Sequence, residues 1–330
     1  MAVRASEAIG SAPPQPALAV GFVLLDQFTL TAFSGFIDAL RLAADIGGRS
    51  RQLLCRWDIV GPGPVESSCG LRVVPDRPDL PDGLDYLAVC GGNGYRDDYQ
   101  PEWLTTMLRT ADARGITLVG VCTGTFALAR AGLIGGATAC VHWNVLNDFC
   151  QQFPDINAVS DRLFFDVGTR ITCAGSTGSI DLALHLISRH CGPEKAQQAL
   201  RHMIVKEMRP PSAPQAHFYT DLRGVRDTRV QRAVKFMEQT LNAPVSLDTV
   251  ASHVHASTRQ LERAFRASLG VAPASYYRTL RLRYGAFLLR HTDRRVSDIA
   301  TDCGFCDASH FGRSFQRQFG QSPRAFRYAA

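Results

Sequence analysis

The chain of 330 residues contains no hydrophobic run that approaches the roughly 20 residues of a membrane-spanning helix, which argues against a membrane protein. Residues 1–16 also lack the charged start and long apolar stretch of a secretory signal. They are rich in Ala, Pro and Ser, and we expect them to be disordered. These absences favour a cytoplasmic protein whose ten cysteines are mostly free thiols.

A second pair of closely spaced cysteines is also missing. Cys303 and Cys306 have the CxxC spacing of many metal and redox sites, yet a four-cysteine zinc site needs two such pairs. The spacing has another explanation, since we expect Cys303 at a core position and Cys306 in a turn of a repeated helical motif. No metal and no cofactor is therefore predicted.

Lysine is scarce at the C-terminal end of the chain. Of the 17 basic residues in 226–330, 16 are arginine, and with eight acidic residues they give this segment a net charge of +9. The whole chain carries +6, which leaves −3 for residues 1–225. Arginine favours bidentate contacts to phosphates and base edges, so this distribution predicts a nucleic-acid-binding segment whose affinity falls with salt.

The same arginine-rich segment contains two copies of one motif. Leu261 and Phe265 lie fifty positions before Phe311 and Phe315, and the glycine and proline after them keep the same offset. Each copy reads as a short helix, a tight turn and a second helix. Two such units in tandem are typical of proteins that read adjacent major-groove segments of DNA. The alternative is a helical bundle with a basic surface, which the matching copies disfavour.

The second helix of each copy has its own start signal and a polar outer surface. Ser257 and Asp307 are good N-caps, and Gln260 completes a capping box with Ser257. Gly304 suits the tight turn of the second copy, because glycine reaches a positive φ easily. Arginine and glutamine suit guanine and adenine edges. The residues predicted to contact DNA are Thr258, Arg259, Gln260, Arg263, Ala308, Ser309, Arg313 and Arg317.

These motifs resemble the AraC/XylS family of transcription regulators over about residues 226–328. The match is carried by Leu261-Glu-Arg-Ala-Phe265, Arg281-Leu-Arg283, Cys303-Gly-Phe305, Ser309-His-Phe311 and Gly320-Gln-Ser-Pro323. The resemblance implies a long helix over 275–291 between the two DNA-reading units, and we expect a homodimer that acts with RNA polymerase. One departure is Gly285, where the family has a better helix former; it should cost about 1 kcal/mol relative to alanine.

The remaining residues divide into a linker and a separate domain. Two prolines after Arg209 prevent a helix from continuing, so we place a linker at 208–225 and the DNA-binding domain at 226–330. Residues 17–207 alternate apolar strands with helices, which predicts an α/β fold: a flavodoxin-like, doubly wound parallel sheet followed by the all-α tandem helix-turn-helix domain. The predicted strands are 17–25, 56–60, 84–90 and 116–121, and the predicted helices are 31–46, 101–114, 124–132, 144–152, 176–190 and 193–207.

Two segments follow strands at the carboxyl edge of this sheet, where such folds bind ligands. Cys90-Gly-Gly-Asn-Gly94 is one, and Gly120-Val-Cys-Thr-Gly-Thr-Phe126 is the other, shaped like a nucleophile elbow with Cys122 at the bend. Free amides at the start of the following helix should lower the pKa of this thiol, and we expect the glycine-rich loop to present further amides. The predicted ligand-binding residues are Gly91, Gly92, Asn93, Cys122, Thr123, His142 and Trp143.

This part of the chain, about residues 18–200, resembles the class I glutamine amidotransferase-like superfamily, which includes the PfpI-type proteases. The matching residues include Tyr86-Leu-Ala-Val-Cys-Gly-Gly92, Gly120-Val-Cys122 and Ala137-Thr-Ala-Cys-Val-His-Trp143. With the C-terminal domain, the architecture is similar to the GlxA family of transcription regulators. The resemblance implies a first domain that senses a small polar metabolite, commonly an amino acid or a quaternary amine.

The resemblance does not extend to the catalytic residues. The PfpI-type proteases place a histidine directly after the nucleophilic cysteine, where this chain has Thr123. The glutamate that some superfamily members use would fall at 31–33, where no acid stands, although Asp26 and Asp38 flank the region. A cysteine without an activating base is a poor catalyst. We therefore predict no enzyme activity and no catalytic residue, with Cys122 a vestigial nucleophile.

Three functions are compatible with these residues. The first is a ligand-responsive DNA-binding regulator, which is more commonly an activator in the resembled family. The second is a cysteine hydrolase or amidase fused to a DNA-binding domain, with His142 as the base. The third is a thiol-based redox sensor acting through Cys122. Within the first, a tryptophan cage for a methylammonium group is an option, with Trp143 the best-placed candidate.

Overall fold

The computed structural model describes residues 16–96, 100–136, 138–213, 215, 222, 224–241, 244–292 and 294–328. Nearly all of the predicted disordered terminus and part of the predicted linker lie outside the described residues, namely 1–15, 214, 216–221 and 223. The chain divides into two compact units, Met1–Ala213 and Pro214–Ala330. No helix in the described part of either unit is long and apolar enough to cross a bilayer.

The first unit contains a six-stranded sheet. Its strands, with four shorter ones, are β1 (Leu18–Leu24), β2 (Cys55–Val60), β3 (Val65–Glu66), β4 (Arg72–Val73), β5 (Tyr86–Cys90), β6 (Thr117–Val121), β7 (Ala139–Cys140), β8 (Ala158–Val159), β9 (Phe164–Asp166) and β10 (Arg170–Cys173). The order in the main sheet is β2-β1-β5-β6-β10-β9. Neighbours are parallel except at the edge, where β9 runs antiparallel to β10.

Helices cover both faces of this sheet. They are α1 (Leu30–Ala44), α2 (Glu102–Ala113), α3 (Gly124–Arg130), α4 (Leu146–Gln152), α5 (Gly178–Cys191) and α6 (Pro193–His202). Leu18, Val20 and Phe22 of β1 pack with α1, α5 and α6, whereas Ala19 and Val23 pack with α2, α3 and α4. Side chains alternate along a strand, so a strand covered on both faces is apolar throughout.

The predicted α/β class and doubly wound parallel sheet are confirmed. The helices predicted at 31–46 and 193–207 are too long, since α1 ends at Ala44 and α6 at His202. The sequence pattern also fails to reveal β9 and β10. These strands are only three and four residues long, so neither contains an apolar run that the sequence pattern could detect. They are strands because they pair with each other across a tight turn.

The second unit is all-helical, as predicted. Its helices are α7 (Thr228–Gln239), α8 (Leu247–His253), α9 (Thr258–Leu269), α10 (Pro273–His291), α11 (Val296–Asp302), α12 (Ala308–Phe319) and α13 (Pro323–Tyr328). Helices α8 and α9 form one helix-turn-helix, α11 and α12 form the other, and the long helix α10 joins them. Leu261, Phe265, Phe311 and Phe315 are fully buried at equivalent positions of the two units.

Gly285 has a packing role that its helix propensity does not reveal. It lies in α10, where a Cβ atom would stand 2.8 Å from two ring carbons of Phe311 and 3.3 Å from the sulfur of Cys303. Contacts as short as 2.8 Å force a neighbour to move. The absence of a side chain therefore lets the buried ring of Phe311, from α12, pack directly on α10. This contact offsets the intrinsic cost of glycine in a helix.

We expect Gly285→Ala to lower the free energy of unfolding of the second unit by about 1–3 kcal/mol, because the methyl group overpacks the contact with Phe311. Helix propensity alone predicts a gain of about 1 kcal/mol. Gly312→Ala is the matched control, since a Cβ in that part of α12 meets no atom within 4 Å and alanine should stabilise. Calorimetry of the full-length variants measures both. A stabilised Gly285→Ala variant would contradict the packing argument.

Candidate functional site

Three loops meet at the carboxyl edge of the sheet, after the adjacent strands β1, β5 and β6. A Cβ on Gly92 would lie 1.5 Å from the carbonyl oxygen of Gln27, and one on Gly91 would lie 2.2 Å from the nitrogen of Gly124. The buried hydroxyl of Thr123 donates to the carbonyl oxygen of Gly92 at 2.7 Å. Glycine is therefore required here because two backbones touch.

Cys122 stands at a sharp bend directly after β6, at the position predicted for a nucleophile elbow. Its φ is +56°, in the left-handed region that non-glycine residues rarely adopt. Gly175 packs against the bend, since a Cβ there would lie 2.5 Å from the Cys122 Cβ. The Cys122 N–H donates to the carbonyl oxygen of Cys173 at 3.0 Å, and the sulfur lies 3.9 Å from the hydroxyl oxygen of Thr29.

The prediction of a lowered pKa for the Cys122 thiol is wrong. Burial raises its pKa, because the thiolate would lose its hydration, and contacts from Thr29 and the Thr123 amide offset this only in part. Burial also raises the pKa of Cys90 and that of Cys173, the latter to about 12. These neighbours end β5 and β10. The Cys122 thiol, which is itself only partly buried by accessible surface, therefore has a raised pKa and lies near two buried thiols whose pKa values are also raised.

The side chain that contacts the Cys122 thiol is that of Thr29. The acid of the superfamily was expected at 31–33, and this contact comes from outside that range. Thr29 precedes the first turn of α1, and its hydroxyl makes no capping hydrogen bond. Thr29 is a poor proton acceptor compared with a carboxylate. Asp38, on the outer face of α1, pairs instead with Arg41 at 2.9 Å.

Backbone amides after β5 are used inside the fold. The Gly91 N–H donates to the carbonyl oxygen of Val121 at 3.1 Å, and the Asn93 N–H donates to that of Gln27 at 3.1 Å. The expectation that this loop presents its amides to a ligand is therefore wrong for these two groups. Gly91 and Gly92 are buried and shape the edge, whereas the Asn93 side chain is exposed.

His142 and Trp143 follow β7. His142 Nδ1 accepts a hydrogen bond from the Asn144 N–H at 3.2 Å, which places the proton of the neutral ring on Nε2. Burial lowers the pKa of His142 to about 4, so the ring is neutral at physiological pH. Its centroid lies 5.4 Å from that of the Trp143 ring. Within the described residues, the Cys122 sulfur has Thr29 as its side-chain partner, and His142 does not contact it as a base.

A cavity of about 450 Å³ opens beside the elbow on the side of Thr123. Its lining residues include the exposed Asp26, Arg130 and the aromatic residues Tyr95 and Trp103. Arg130 is held in place by donating to the carbonyl oxygen of Tyr95 at 2.6 Å. Of the predicted ligand residues, Gly92 and Thr123 line this cavity, and Gly91, Asn93, Cys122, His142 and Trp143 lie outside its wall.

The outer surface of α9 carries the first set of predicted DNA contacts. Arg259 and Arg263 are exposed and, as far as the described residues go, form no ion pair. The Thr258 hydroxyl donates to Asp248 of α8 at 2.8 Å, which ties the two helices of the unit together. Gln260 and Ser257 form the predicted capping box, so the Gln260 side-chain oxygen is committed to the Ser257 N–H. Only the side-chain NH2 group of Gln260 remains available to hydrogen-bond a DNA base.

The outer surface of α12 carries the second set. Its predicted contacts Ala308, Ser309, Arg313 and Arg317 are all exposed. Asp307 caps the helix by accepting from the His310 N–H at 2.6 Å, as predicted. The predictions for the CxxC pair are confirmed, because Cys303 is buried and Cys306 is exposed in the turn.

Several arginines of the second unit stabilise its fold. Arg281 of α10 donates to the carbonyl oxygen of Cys303 at 2.6 Å and to that of Gly304, and its guanidinium group lies 4.6 Å from the centroid of Phe305. Arg294 pairs with Asp302 at 2.8 Å. Net charge alone does not distinguish these arginines from exposed ones. Arg281 in particular holds the turn between α11 and α12, a role the sequence reasoning missed.

Comparison with known proteins shows which family each unit resembles. A model of the DJ-1/PfpI family matches residues 20–189, and a model of a helix-turn-helix domain matches residues 250–329. The HTH-type transcriptional regulator GbdR of Pseudomonas aeruginosa is 36% identical over 92% of this chain and 83% of its own length. CdhR of the same species is 35% identical over 92% and 89%. GlxA of Rhizobium meliloti is 28% identical over 93% and 95%.

These matches cover both units in one alignment and agree with the site geometry. The first unit has an elbow whose thiol has a raised pKa, and the second has two capped helix-turn-helix motifs with exposed arginines. Both predicted resemblances are confirmed. The chain belongs to the GlxA-type regulators of the AraC/XylS family, which are DNA-binding transcription regulators that join a DJ-1/PfpI ligand-sensing domain to a tandem helix-turn-helix domain.

Proposed function

We propose that α9 and α12 enter two adjacent major-groove segments of promoter DNA, about 10 base pairs apart on one face of the duplex. Arg259 and Arg263 read bases in one segment, and Ser309 and Arg313 read bases in the other. The observation that carries this proposal is the repetition of the capped helix with exposed arginines. Thr258, Gln260, Ala308 and Arg317 complete the surface that approaches the DNA.

We propose that the effector is a small zwitterionic metabolite, such as an amino acid or a betaine, bound in the cavity beside Thr123. The wall offers a carboxylate at Asp26 for the ammonium end and a guanidinium group at Arg130 for the carboxylate end. Tyr95 and Trp103 supply aromatic faces suited to a methylated ammonium group. The proposal thus assigns the aromatic contact to Trp103, which lines the cavity, instead of the expected Trp143, which does not.

Binding of this effector shifts the population towards the state that binds DNA, because a ligand with higher affinity for one state favours that state. The protein acts as a homodimer in the cytoplasm and activates transcription by contact with RNA polymerase. The resemblance to AraC/XylS-type regulators supports this part of the proposal.

We infer that the first unit is not an enzyme. A cysteine hydrolase needs a thiolate or a base that generates one. The Cys122 thiol is kept neutral by burial, its side-chain partner is the hydroxyl of Thr29, and the neutral ring of His142 hydrogen-bonds elsewhere. The same properties disfavour Cys122 as a redox sensor, because peroxides react with thiolates.

Arg263→Ala and Arg313→Ala should each weaken binding to a duplex selected by the wild type from random sequences, by about 1–3 kcal/mol, and relax base preference in one segment only. Arg232→Ala is the control: it removes one exposed charge from α7, outside the repeats, and should leave base preference intact. Fluorescence anisotropy at several salt concentrations measures all three. Unchanged specificity in both test variants would refute the assignment of α9 and α12.

A thermal-shift panel on the full-length protein tests the effector class. At least one zwitterionic amino acid or betaine should raise the melting temperature. At a ligand concentration of 100 times its Kd, binding adds about 2.7 kcal/mol to the free energy of unfolding. Analogues of this compound that lack either the ammonium or the carboxylate group should leave the melting temperature unchanged. Asp26→Asn should abolish the shift, whereas Asp38→Asn, which removes an exposed carboxylate of α1, should keep it. An intact shift in Asp26→Asn would rule out this cavity.

Alkylation by iodoacetamide tests the state of the elbow thiol. Because burial raises the pKa of Cys122 above that of an ordinary thiol, its labelling should stay slow at neutral pH and rise only under alkaline conditions. Cys69 is an internal control, since the Ser67 hydroxyl lowers the pKa of that exposed thiol and it should label at lower pH. Mass spectrometry of the peptides gives both rates. A Cys122 rate that is already maximal at neutral pH would restore the hydrolase hypothesis.

A further inference from the structure

A second group of thiols lies at the opposite end of α5 from the elbow. Cys55 is the first residue of β2 and is fully buried, and Cys191 is the last residue of α5 and is half-buried. Their sulfur atoms are 3.7 Å apart, although 136 positions separate them in the chain. Two cysteines in van der Waals contact across the fold are positioned for covalent bonding.

We propose that Cys55 and Cys191 form a reversible intramolecular disulfide when the protein reacts with a hydroperoxide. Bond formation requires the sulfurs to approach to about 2.05 Å. The backbone at Cys191 can supply this movement, because the residue ends a helix and precedes Gly192. Gly192 has a φ of +89°, and open space surrounds it, since a Cβ there would meet no atom within 4 Å. Cys55 stays fixed in the sheet.

The environment assigns different roles to the two thiols. Cys191 is the accessible one, and hydrogen bonding from the Cys55 thiol together with the charge of Lys195 lowers its pKa. The pKa of Cys55 is raised, chiefly by its hydrogen bond to Cys191 and by burial. Because a peroxide reaches the half-buried Cys191 before the fully buried Cys55, Cys191 is the thiol that attacks and Cys55 is the thiol that resolves.

The chemistry balances in two steps. The Cys191 thiolate attacks the terminal oxygen of the hydroperoxide: a sulfur–oxygen bond forms to give the sulfenic acid, the oxygen–oxygen bond breaks, and the leaving alkoxide (hydroxide, for hydrogen peroxide) takes a proton to become an alcohol (water). The Cys55 sulfur then attacks the sulfenic sulfur, the sulfur–sulfur bond forms, and hydroxide leaves with the Cys55 proton as water. Two thiols are oxidised by two electrons, and the hydroperoxide is reduced.

This site differs from the elbow in the side-chain partner of the partly exposed thiol and in the direction of that thiol's pKa shift. Cys122 has a raised pKa and contacts a hydroxyl, whereas Cys191 has a lowered pKa and contacts a thiol. We therefore assign peroxide-driven disulfide formation to Cys55 of β2 and Cys191 of α5, not to Cys122. The assignment does not depend on which metabolite the cavity binds.

Peptide mapping of the full-length protein tests the proposal. Trypsin releases each cysteine on its own peptide, 52–56 for Cys55 and 190–195 for Cys191. After hydrogen peroxide and blocking of free thiols with N-ethylmaleimide, we expect these two peptides joined by a disulfide and two fewer maleimide adducts per chain. Dithiothreitol should reverse both changes. Absence of the joined peptide at peroxide levels that oxidise the exposed Cys69 would overturn the proposal.

Three variants establish the order of events. Cys55→Ser, which keeps a hydroxyl group as a hydrogen-bond donor to the Cys191 sulfur, should stop the reaction at a Cys191 sulfenic acid, which dimedone traps, and Cys191→Ser should form neither product. Cys122→Ala is the matched control and should form the joined peptide at the wild-type rate. Circular dichroism confirms that each variant is folded. Dimedone labelling of Cys122 in preference to Cys191 would show that the elbow, not this pair, is the oxidation site.

Discussion

The contact of three backbone segments at the carboxyl edge of the sheet determines what the first unit can do. Gly91, Gly92 and Gly124 bring the loops after β1, β5 and β6 within touching distance, and the hydroxyl of Thr123 joins two of them. The bend at Cys122 packs against Gly175 at the same edge. Desolvation raises the pKa of the Cys122 thiol there, and a cavity lies on the other side of Thr123. One edge of the sheet thus carries both the thiol and the cavity.

The second unit depends on a different constraint, the close approach of α12 to α10. Gly285 permits it, and Arg281 of α10 holds the turn that precedes α12. Buried and surface arginines therefore have separate roles: some stabilise the turn, while others stay exposed on the outer faces of α9 and α12. The same residue type gives the unit both its stability and its affinity for a polyanion, because a guanidinium group binds carbonyl oxygens, aromatic faces and phosphates alike.

Local signals made much of this predictable. The offset of fifty between Phe265 and Phe315 revealed the repeat, and Ser257 and Asp307 marked the helix starts, because a cap acts on amides three residues away. Interactions across the chain were not predictable in this way. Thr29 meets Cys122 over 93 positions, and Cys55 meets Cys191 over 136. No spacing rule connects such residues, so neither contact could be read from composition or periodicity.

The amino-acid sequence by itself determined the two-domain plan, the parallel sheet, the elbow at Cys122 and the paired helix-turn-helix units, since each arises from residues close together in the chain. Only the tertiary structure decided the sign of the thiol's pKa shift, the side chains around the cavity beside Thr123 and the division of arginines between fold and surface. The physical reason is that hydration, electrostatics and packing depend on everything near a group in space, and folding assembles those neighbours from distant parts of the chain.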